Sequence, residues 1–150
     1  MGGQSVIDAQ GKMPLMILVD TTVWIDFFSG LTTPRVAMLE SLISTREDIC
    51  LCGVILTEVL QGIRDEEEHD KTRAVLLDLL FLPMFRETFL LAANIYRSVR
   101  ARGITIRNSV DCVIASVCIE NNVVLLHNDR DFDHISKHYD LKILNPPTRS

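Results

Sequence analysis

The chain has 150 residues, of which 47% are hydrophobic and 23% are charged, and its formal net charge is −5. This length and composition predict one globular domain with a single core, and they exclude a disordered or low-complexity chain. No apolar stretch reaches the roughly 20 residues that span a bilayer, and the N-terminus lacks a secretion signal, so we expect a cytoplasmic protein without a membrane partner.

Residues 1–15 show no clear period, and we interpret them as an N-terminal tail or a cloning remnant. From residue 16 onward, short apolar runs typical of buried strands alternate with segments of helical spacing. The predicted strands are 16–20, 48–52, 81–85, 123–126 and 141–144, and the predicted helices are 22–30, 34–44, 53–63, 65–79, 87–103, 108–121 and 130–139.

This alternation predicts an α/β fold, with a single domain over residues 16–150. Its central, mainly parallel sheet should have about five strands flanked by helices, because helical crossovers join parallel strands. Pro83 weakens the third strand and favours a place at an edge or at a strand end.

Four acidic residues lie at or near strand-to-helix junctions, where parallel α/β folds collect their functional groups. Asp20 ends the first strand and Asp129 follows the fourth. Glu58 lies about one turn into the helix after the second strand, and Asp111 lies in the first turn of its helix, where it could form a capping box with Asn108. Each acid alone also fits a helix cap, a turn or a solvated position.

The sequence around two of these acids favours a bound cation. Glu58 and Asp111 are lone acids on largely apolar helices, and neither helix offers a basic partner. Buried acids are almost always paired or bound to metal, and clustered carboxylates repel one another unless they are neutralised. The predicted cofactor is therefore a hard divalent cation with oxygen ligands, namely Mg²⁺, which Mn²⁺ can replace.

The four cysteines lack the paired CxxC hooks of a zinc site and lie in apolar surroundings. We interpret Cys50, Cys52, Cys112 and Cys118 as buried free thiols rather than metal ligands or disulfides.

Four segments, in this order and at these distances, resemble PIN-domain ribonucleases, specifically the VapC-type toxins of bacterial type II toxin–antitoxin pairs: VDTTVWIDF, TEVLQGI, NSVDCVIASVCIENNVVLL and HNDRDFD. The resemblance covers residues 16–146. It implies that the catalytic, metal-binding acids are Asp20, Glu58, Asp111 and Asp129, that Asp131 is an additional metal-binding acid, and that Thr22 supports the first acid.

The family often has Thr or Ser where this chain has His127. We interpret His127 as a junction residue without catalytic work, although support of a ligand or contact with substrate remains an alternative. Asp133 has no assigned family role and is interpreted as a solvated charge.

The resemblance implies a growth-inhibiting, metal-dependent endoribonuclease that hydrolyses structured RNA, such as tRNA or rRNA, to 5′-phosphate and 3′-hydroxyl products. It also implies a homodimer that a cognate VapB-like antitoxin neutralises. A two-metal arrangement fits four or five acids. The alternative is a non-catalytic PIN-fold module that engages a protein partner or RNA without cleavage.

A net charge of −5 argues against an RNA substrate, but residues 86–107 hold five arginines against one glutamate. We predict that Arg97, Arg100 and Arg102 contact RNA phosphates, with a solvated basic face or an antitoxin contact as equal alternatives. The aromatic residues of TVWIDFF are compatible with either a partner groove or core packing.

Overall fold

The computed structural model describes residues 16–147, so the predicted tail, residues 1–15, lies outside the described residues, as do residues 148–150. Residues 16–147 contain four strands and seven helices, which confirms the α/β prediction. The strands are β1 (Met16–Val19), β2 (Asp48–Cys52), β3 (Leu80–Leu82) and β4 (Val124–Leu126). The helices are α1 (Thr21–Phe28), α2 (Pro34–Ser44), α3 (Gly53–Gln61), α4 (Glu66–Leu77), α5 (Arg86–Ala101), α6 (Val110–Asn121) and α7 (Arg130–Ser136).

The strands form one sheet in the order β3-β2-β1-β4, and every neighbouring pair is parallel. Leu18 in β1 pairs with Cys50 in β2 on one side and with Leu125 in β4 on the other. The carboxyl ends of β2, β1 and β4 therefore lie side by side at one edge of the sheet. This is the edge at which ligands of open parallel sheets bind.

The predicted fifth strand, 141–144, is reduced to one parallel bridge between Leu125 and Ile143. Leu125 donates its N–H to the carbonyl of Lys142 at 2.9 Å, and Leu144 donates to the carbonyl of Leu125 at 2.8 Å. Pro146 and Pro147 follow after Asn145, and proline has no N–H to extend a ladder. Residues 16–147 thus hold a four-stranded sheet, with β3 at its edge and Pro83 just beyond the end of β3.

Local capping explains where several helices begin. Thr33 accepts the N–H of Val36 at 3.0 Å, and Pro34 occupies the first turn of α2. Asp65 accepts the N–H of Glu68 at 2.9 Å, and three glutamates in the first turn of α4 favour the positive end of the helix dipole.

The core lies on both faces of the sheet and around α6. Ile17, Leu18 and Val19 of the central strand are fully buried, as expected for a strand covered on both faces. Helix α6 is apolar on nearly all sides, and seven of its residues are buried, so it is a central helix rather than a surface one. Trp24 is also fully buried and stacks on Phe28 at 5.7 Å between ring centroids, so core packing explains this tryptophan.

The four cysteines are free and buried, as predicted. Burial raises the pKa of the Cys50, Cys52 and Cys112 thiols to about 11 and the pKa of the Cys118 thiol well above its ordinary value of 9.0. The thiolate is the reactive form, so these side chains are packing groups. No helix within residues 16–147 is both long and apolar enough to cross a bilayer.

Candidate metal centre

The predicted acids meet at the carboxyl edge of the sheet. Asp20 follows β1 and caps α1, whereas Asp129 follows β4 and caps α7. Glu58 lies on α3, directly after β2, and Asp111 lies in the first turn of α6. We refer to Asp20, Glu58, Asp111, Asp129 and Asp131 together as the acidic centre.

Asp20 is 2% exposed, and Thr22 holds it in place. One oxygen of Asp20, Oδ2, accepts the Thr22 hydroxyl at 2.6 Å and the Thr22 N–H at 3.2 Å. Burial raises the pKa of Asp20, and these hydrogen bonds partly oppose the rise. The Thr22 hydroxyl oxygen also accepts the N–H of Asn128 at 3.2 Å, so Thr22 ties the end of β1 to the loop after β4.

Glu58 has a similar partner that the sequence analysis missed. The buried hydroxyl of Thr21 donates to Glu58 Oε1 at 2.8 Å, across 37 positions of chain. The pair Thr21–Thr22 in VDTTV was the available signal, because adjacent positions on a helix point in different directions. Two neighbouring hydroxyls therefore orient two different carboxylates.

Asp111 is the most unusual group of the acidic centre. It is 7% exposed, and among residues 16–147 its Oδ2 atom has no hydrogen-bond partner. Burial, followed by the negative charges of the other four acids, raises the pKa of Asp111 to about 8. A carboxylate in this setting is costly unless a cation neutralises it.

The proposed capping box between Asn108 and Asp111 is absent from the described residues. Asn108 Oδ1 accepts the N–H of Val110 at 3.0 Å, and the N–H of Asp111 donates to the Asn108 carbonyl at 3.0 Å. Among residues 16–147, Asp111 Oδ2 accepts no hydrogen bond, and the residue is buried in the acidic centre. Capping therefore does not explain this acid.

Asp129 and Asp131 form the outer side of the acidic centre. Single carboxylate oxygens of Asp111, Asp129 and Asp131 lie within 4.8 Å of one another. Asp129 Oδ1 accepts the N–H of Asp131 at 3.0 Å and an N–H of the Arg107 guanidinium, Nη2, at 3.2 Å. Asp131 Oδ2 accepts the backbone N–H of Arg107 at 3.2 Å and lies 3.6 Å from its Nε atom. Arg107 belongs to the arginine-rich segment 86–107, and no local pattern in the sequence predicts its place beside these acids.

His127 lies beneath this loop and is 3% exposed. Its Nδ1 atom accepts the N–H of Asp129 at 3.0 Å, and its Nε2 atom lies 3.4 Å from Asp133 Oδ1. Burial lowers the pKa of His127, and the two contacts fit a neutral ring with its proton on Nε2. The imidazole thus holds the backbone of Asp129, as a Thr or Ser hydroxyl at this position could also do.

The three predicted phosphate-binding arginines lie on or just after α5. Arg97 lines a hollow with Ser109 and Val113, near the start of α6. Arg100 lies 5.5 Å from the centre of the Tyr96 ring, and Arg102 Nη1 lies 3.0 Å from His138 Nδ1. Within residues 16–147, none of the three contacts the acidic centre.

The acidic centre offers the ligands that a hard divalent cation prefers, which are carboxylate oxygens. Asp20, Glu58, Asp129 and Asp131 each use one oxygen for hydrogen bonds within residues 16–147 and leave the other without a partner there. Of the five acids, only Asp111, Asp129 and Asp131 bring single oxygens within 4.8 Å of one another in the described residues. Asp20 and Glu58 lie outside that trio, near enough for their charges to raise the pKa of Asp111. The oxygens of the trio, with the unpartnered Asp111 Oδ2 among the carboxylate atoms, suit a hard divalent cation.

A second trio, Glu66, His69 and Asp70, also brings potential ligand atoms together on α4. Its members are exposed or half-buried at the acidic start of a helix, where solvated carboxylates are expected. The trio has no orphaned buried atom comparable to Asp111 Oδ2.

The PIN domain family model matches residues 17–138. Over 124 residues the chain is 32% identical to a VapC ribonuclease of Mycobacterium bovis and to ribonuclease VapC11 of Mycobacterium tuberculosis, with 81% of this chain and 92% of each relative covered. Among solved structures, the fold is similar to VapBC2 of Rickettsia felis bound to a promoter DNA fragment, with a TM-score of 0.70 and 19% identity over 87% of this chain and 98% of that one. It is also similar to VapBC-1 of nontypeable Haemophilus influenzae, with a TM-score of 0.65 and 19% identity over the same shares.

Proposed function

Since the chain belongs to the PIN-domain family and, within it, to the VapC ribonucleases, we propose that it is a growth-inhibiting endoribonuclease that requires a divalent metal. The proposed substrate is structured RNA, such as tRNA or rRNA, whose phosphodiesters it hydrolyses. The observation that carries this proposal is the buried Asp111 carboxylate, with an unpartnered oxygen and four other acids around it. Such an arrangement is unfavourable without a cation and well suited to one.

We assign the metal to Asp20, Glu58, Asp111 and Asp129, with Asp131 as a fifth acid, and Mg²⁺ as the cofactor that Mn²⁺ can replace. When bound, the metal activates water for attack on a phosphodiester and stabilises the leaving oxygen. Thr22 and Thr21 keep the Asp20 and Glu58 carboxylates turned toward the centre. His127 holds the loop that carries Asp129.

The proposed protein partner is a VapB-like antitoxin, because similar solved structures are VapBC complexes. A cavity of about 620 Å³ lies between α1, α3 and α4 and suits one side of an amphipathic helix. Its lining includes the apolar side chains of Ile25, Phe28, Val59 and Val75 and the basic residues Arg64 and Lys71. Of the aromatic residues considered above, Phe28 therefore contributes to this groove, whereas Trp24 belongs to the core.

We further propose that the protein is a cytoplasmic homodimer. A run of exposed apolar side chains at β3 and the start of α5 supports the dimer: Leu80, Phe81, Phe85, Phe89 and Leu90. Exposed apolar surface of this kind usually marks an interface.

The enzyme proposal is tested by incubating the purified protein with tRNA or rRNA in the presence of Mg²⁺ or Mn²⁺. Asp20→Asn and Asp111→Asn should each reduce cleavage by about 100-fold or more, because they remove charge from the metal ligands while preserving shape. Asp140→Asn, an exposed acid after α7, is the matched control and should cleave normally.

Two outcomes would contradict the proposal. Equal cleavage by the wild type and both centre variants would assign the activity to a contaminant. Absence of cleavage by the wild type, together with absence of Mn²⁺ binding in calorimetry, would favour the non-catalytic binding module.

A further inference from the structure

Arg107 is the one arginine or lysine within residues 16–147 whose side chain pairs with carboxylates of the acidic centre. It belongs to the loop between α5 and α6, and the neighbouring Ile106 is buried and anchors that loop in the core. The backbone N–H of Arg107 donates to Asp131. This hydrogen bond holds the Arg107 backbone beside the acids independently of the position of the guanidinium.

The guanidinium of Arg107 is only partly engaged. A guanidinium has five N–H donors, and the described structure uses one of them well, from Nη2 to Asp129 at 3.2 Å. The side chain is 66% exposed, whereas the Asp131 side chain beneath it is 5% exposed. The Asp129 and Asp131 carboxylates therefore hold one side of the guanidinium, and most of the Arg107 side chain stays exposed to solvent beside the acidic centre.

This position answers an electrostatic difficulty of the proposed function. Five carboxylates exceed the charge of one or even two divalent ions, so the acidic centre repels the phosphates of an approaching RNA. A fixed cation at the rim offsets that repulsion, and arginine suits phosphate because its planar fork donates two parallel hydrogen bonds.

We propose that Arg107 is a substrate-binding residue whose guanidinium contacts an RNA phosphate next to the scissile one while Asp129 and Asp131 position it. This inference rests on the proposed function. It assigns the primary phosphate contact at the acidic centre to Arg107. Arg97, Arg100 and Arg102, which contact no acid of the centre within the described part of the chain, are left to more distant parts of the RNA.

The test compares Arg107→Gln and Arg107→Lys with Arg73→Gln, which removes the same charge from an exposed position on α4. Cleavage kinetics should show KM for RNA raised about tenfold in Arg107→Gln, because a charge-assisted hydrogen bond is lost, with kcat changed much less. Arg107→Lys should fall between, since it keeps the charge without the fork. Arg73→Gln should match the wild type.

Two further readouts separate substrate contact from a structural ion pair. The dependence of log KM on log salt concentration should become shallower by about 0.7 to 0.9 in Arg107→Gln, the contribution of one phosphate contact. Calorimetry should show that Arg107→Gln binds Mn²⁺ at least as tightly as the wild type, because a competing cation has gone. A structural ion pair would leave the salt slope unchanged.

Several outcomes would overturn the assignment. An Arg107→Gln enzyme with the KM and salt slope of Arg73→Gln would exclude phosphate contact, and a faster enzyme would identify Arg107 as an internal inhibitor. If Arg107→Gln lowers the melting temperature, Arg107→Lys becomes the deciding variant. A wild-type KM for RNA in Arg107→Lys would then contradict a phosphate contact made by the planar guanidinium. A wild type that cleaves no RNA would instead remove the proposed function, so the two failures are distinct.

Discussion

Asp111 differs from the other acids because it is buried, does not cap a helix and forms no ion pair within residues 16–147. Its carboxylate oxygen Oδ2 has no partner in residues 16–147, and the pKa of Asp111 rises from 3.8 to about 8. In the absence of metal, the folded protein therefore binds a proton at Asp111 that the unfolded chain has released above pH 4. The stability of the metal-free protein should consequently fall as the pH rises from about 4 to about 8.

Asp111→Asn should remove that part of the pH dependence, because the amide cannot ionise. Between pH 5 and pH 8, the metal-free wild type should lose more than about 1.4 kcal/mol relative to the variant, the value of one pKa unit. Urea unfolding at both pH values, with EDTA present, measures the difference. Mn²⁺ at pH 8 should stabilise the wild type and not the variant.

Asp140→Asn provides the comparison, since an exposed acid should leave the pH profile parallel to that of the wild type. Parallel profiles for Asp111→Asn as well would mean that Asp111 ionises normally in the folded protein.

At the scale of elements, helix α4 presents two different apolar surfaces. Val75 is 44% exposed and lines both the groove with α1 and α3 and a neighbouring hollow with Ile43 and Leu80. Leu77 is 52% exposed and lines the hollow but not the groove. A change at Leu77 therefore alters the hollow alone, whereas a change at Val75 also alters the groove.

Val75→Glu should weaken neutralisation by the cognate antitoxin at least tenfold while RNA cleavage is retained, because a charge enters the apolar lining of the groove. Leu77→Glu is the matched control and should be neutralised normally. Titration of the antitoxin into a cleavage assay gives both values. Equal inhibition of the two variants would show that the antitoxin binds elsewhere.

The whole molecule combines a net charge of −5 with an apolar run that begins at the sheet edge. Strand β3 is one of the two end strands of the described sheet, and an end strand with exposed apolar side chains favours association with another chain. A second copy of the chain that covers Leu80 to Leu90 would bury this exposed apolar surface. This surface lies on β3 and α5, and none of its five residues lines the groove on α1, α3 and α4.

Leu90→Glu should convert the proposed homodimer to a monomer, because Leu90 is 59% exposed and a buried charge would face the partner. Light scattering during size-exclusion chromatography measures the mass directly. Leu31→Glu, at an exposed apolar position in the loop between α1 and α2, should leave the mass unchanged. A wild-type mass of one chain would contradict the dimer itself.

The parallel α/β architecture was predictable because hydrophobic periodicity is local and each strand is bounded by its own residues. Three short apolar runs each predict a buried strand: MILV, DICLC and VLL. Acids placed just after such runs must approach one another once the strands are parallel and adjacent. The prediction of a strand at 141–144 was wrong, because a nearby pair of prolines limits its pairing with β4 to one bridge.

The sequence by itself therefore determined the layers of the fold and, with the family resemblance, which acids to consider as a group. Only the tertiary structure decided how each acid is held. Thr21 reaches Glu58 across 37 positions and Arg107 reaches Asp129 across 22, and no local spacing specifies either pair. Hydrogen bonds of this kind depend on the register of elements far apart in the chain, whereas periodicity depends only on near neighbours.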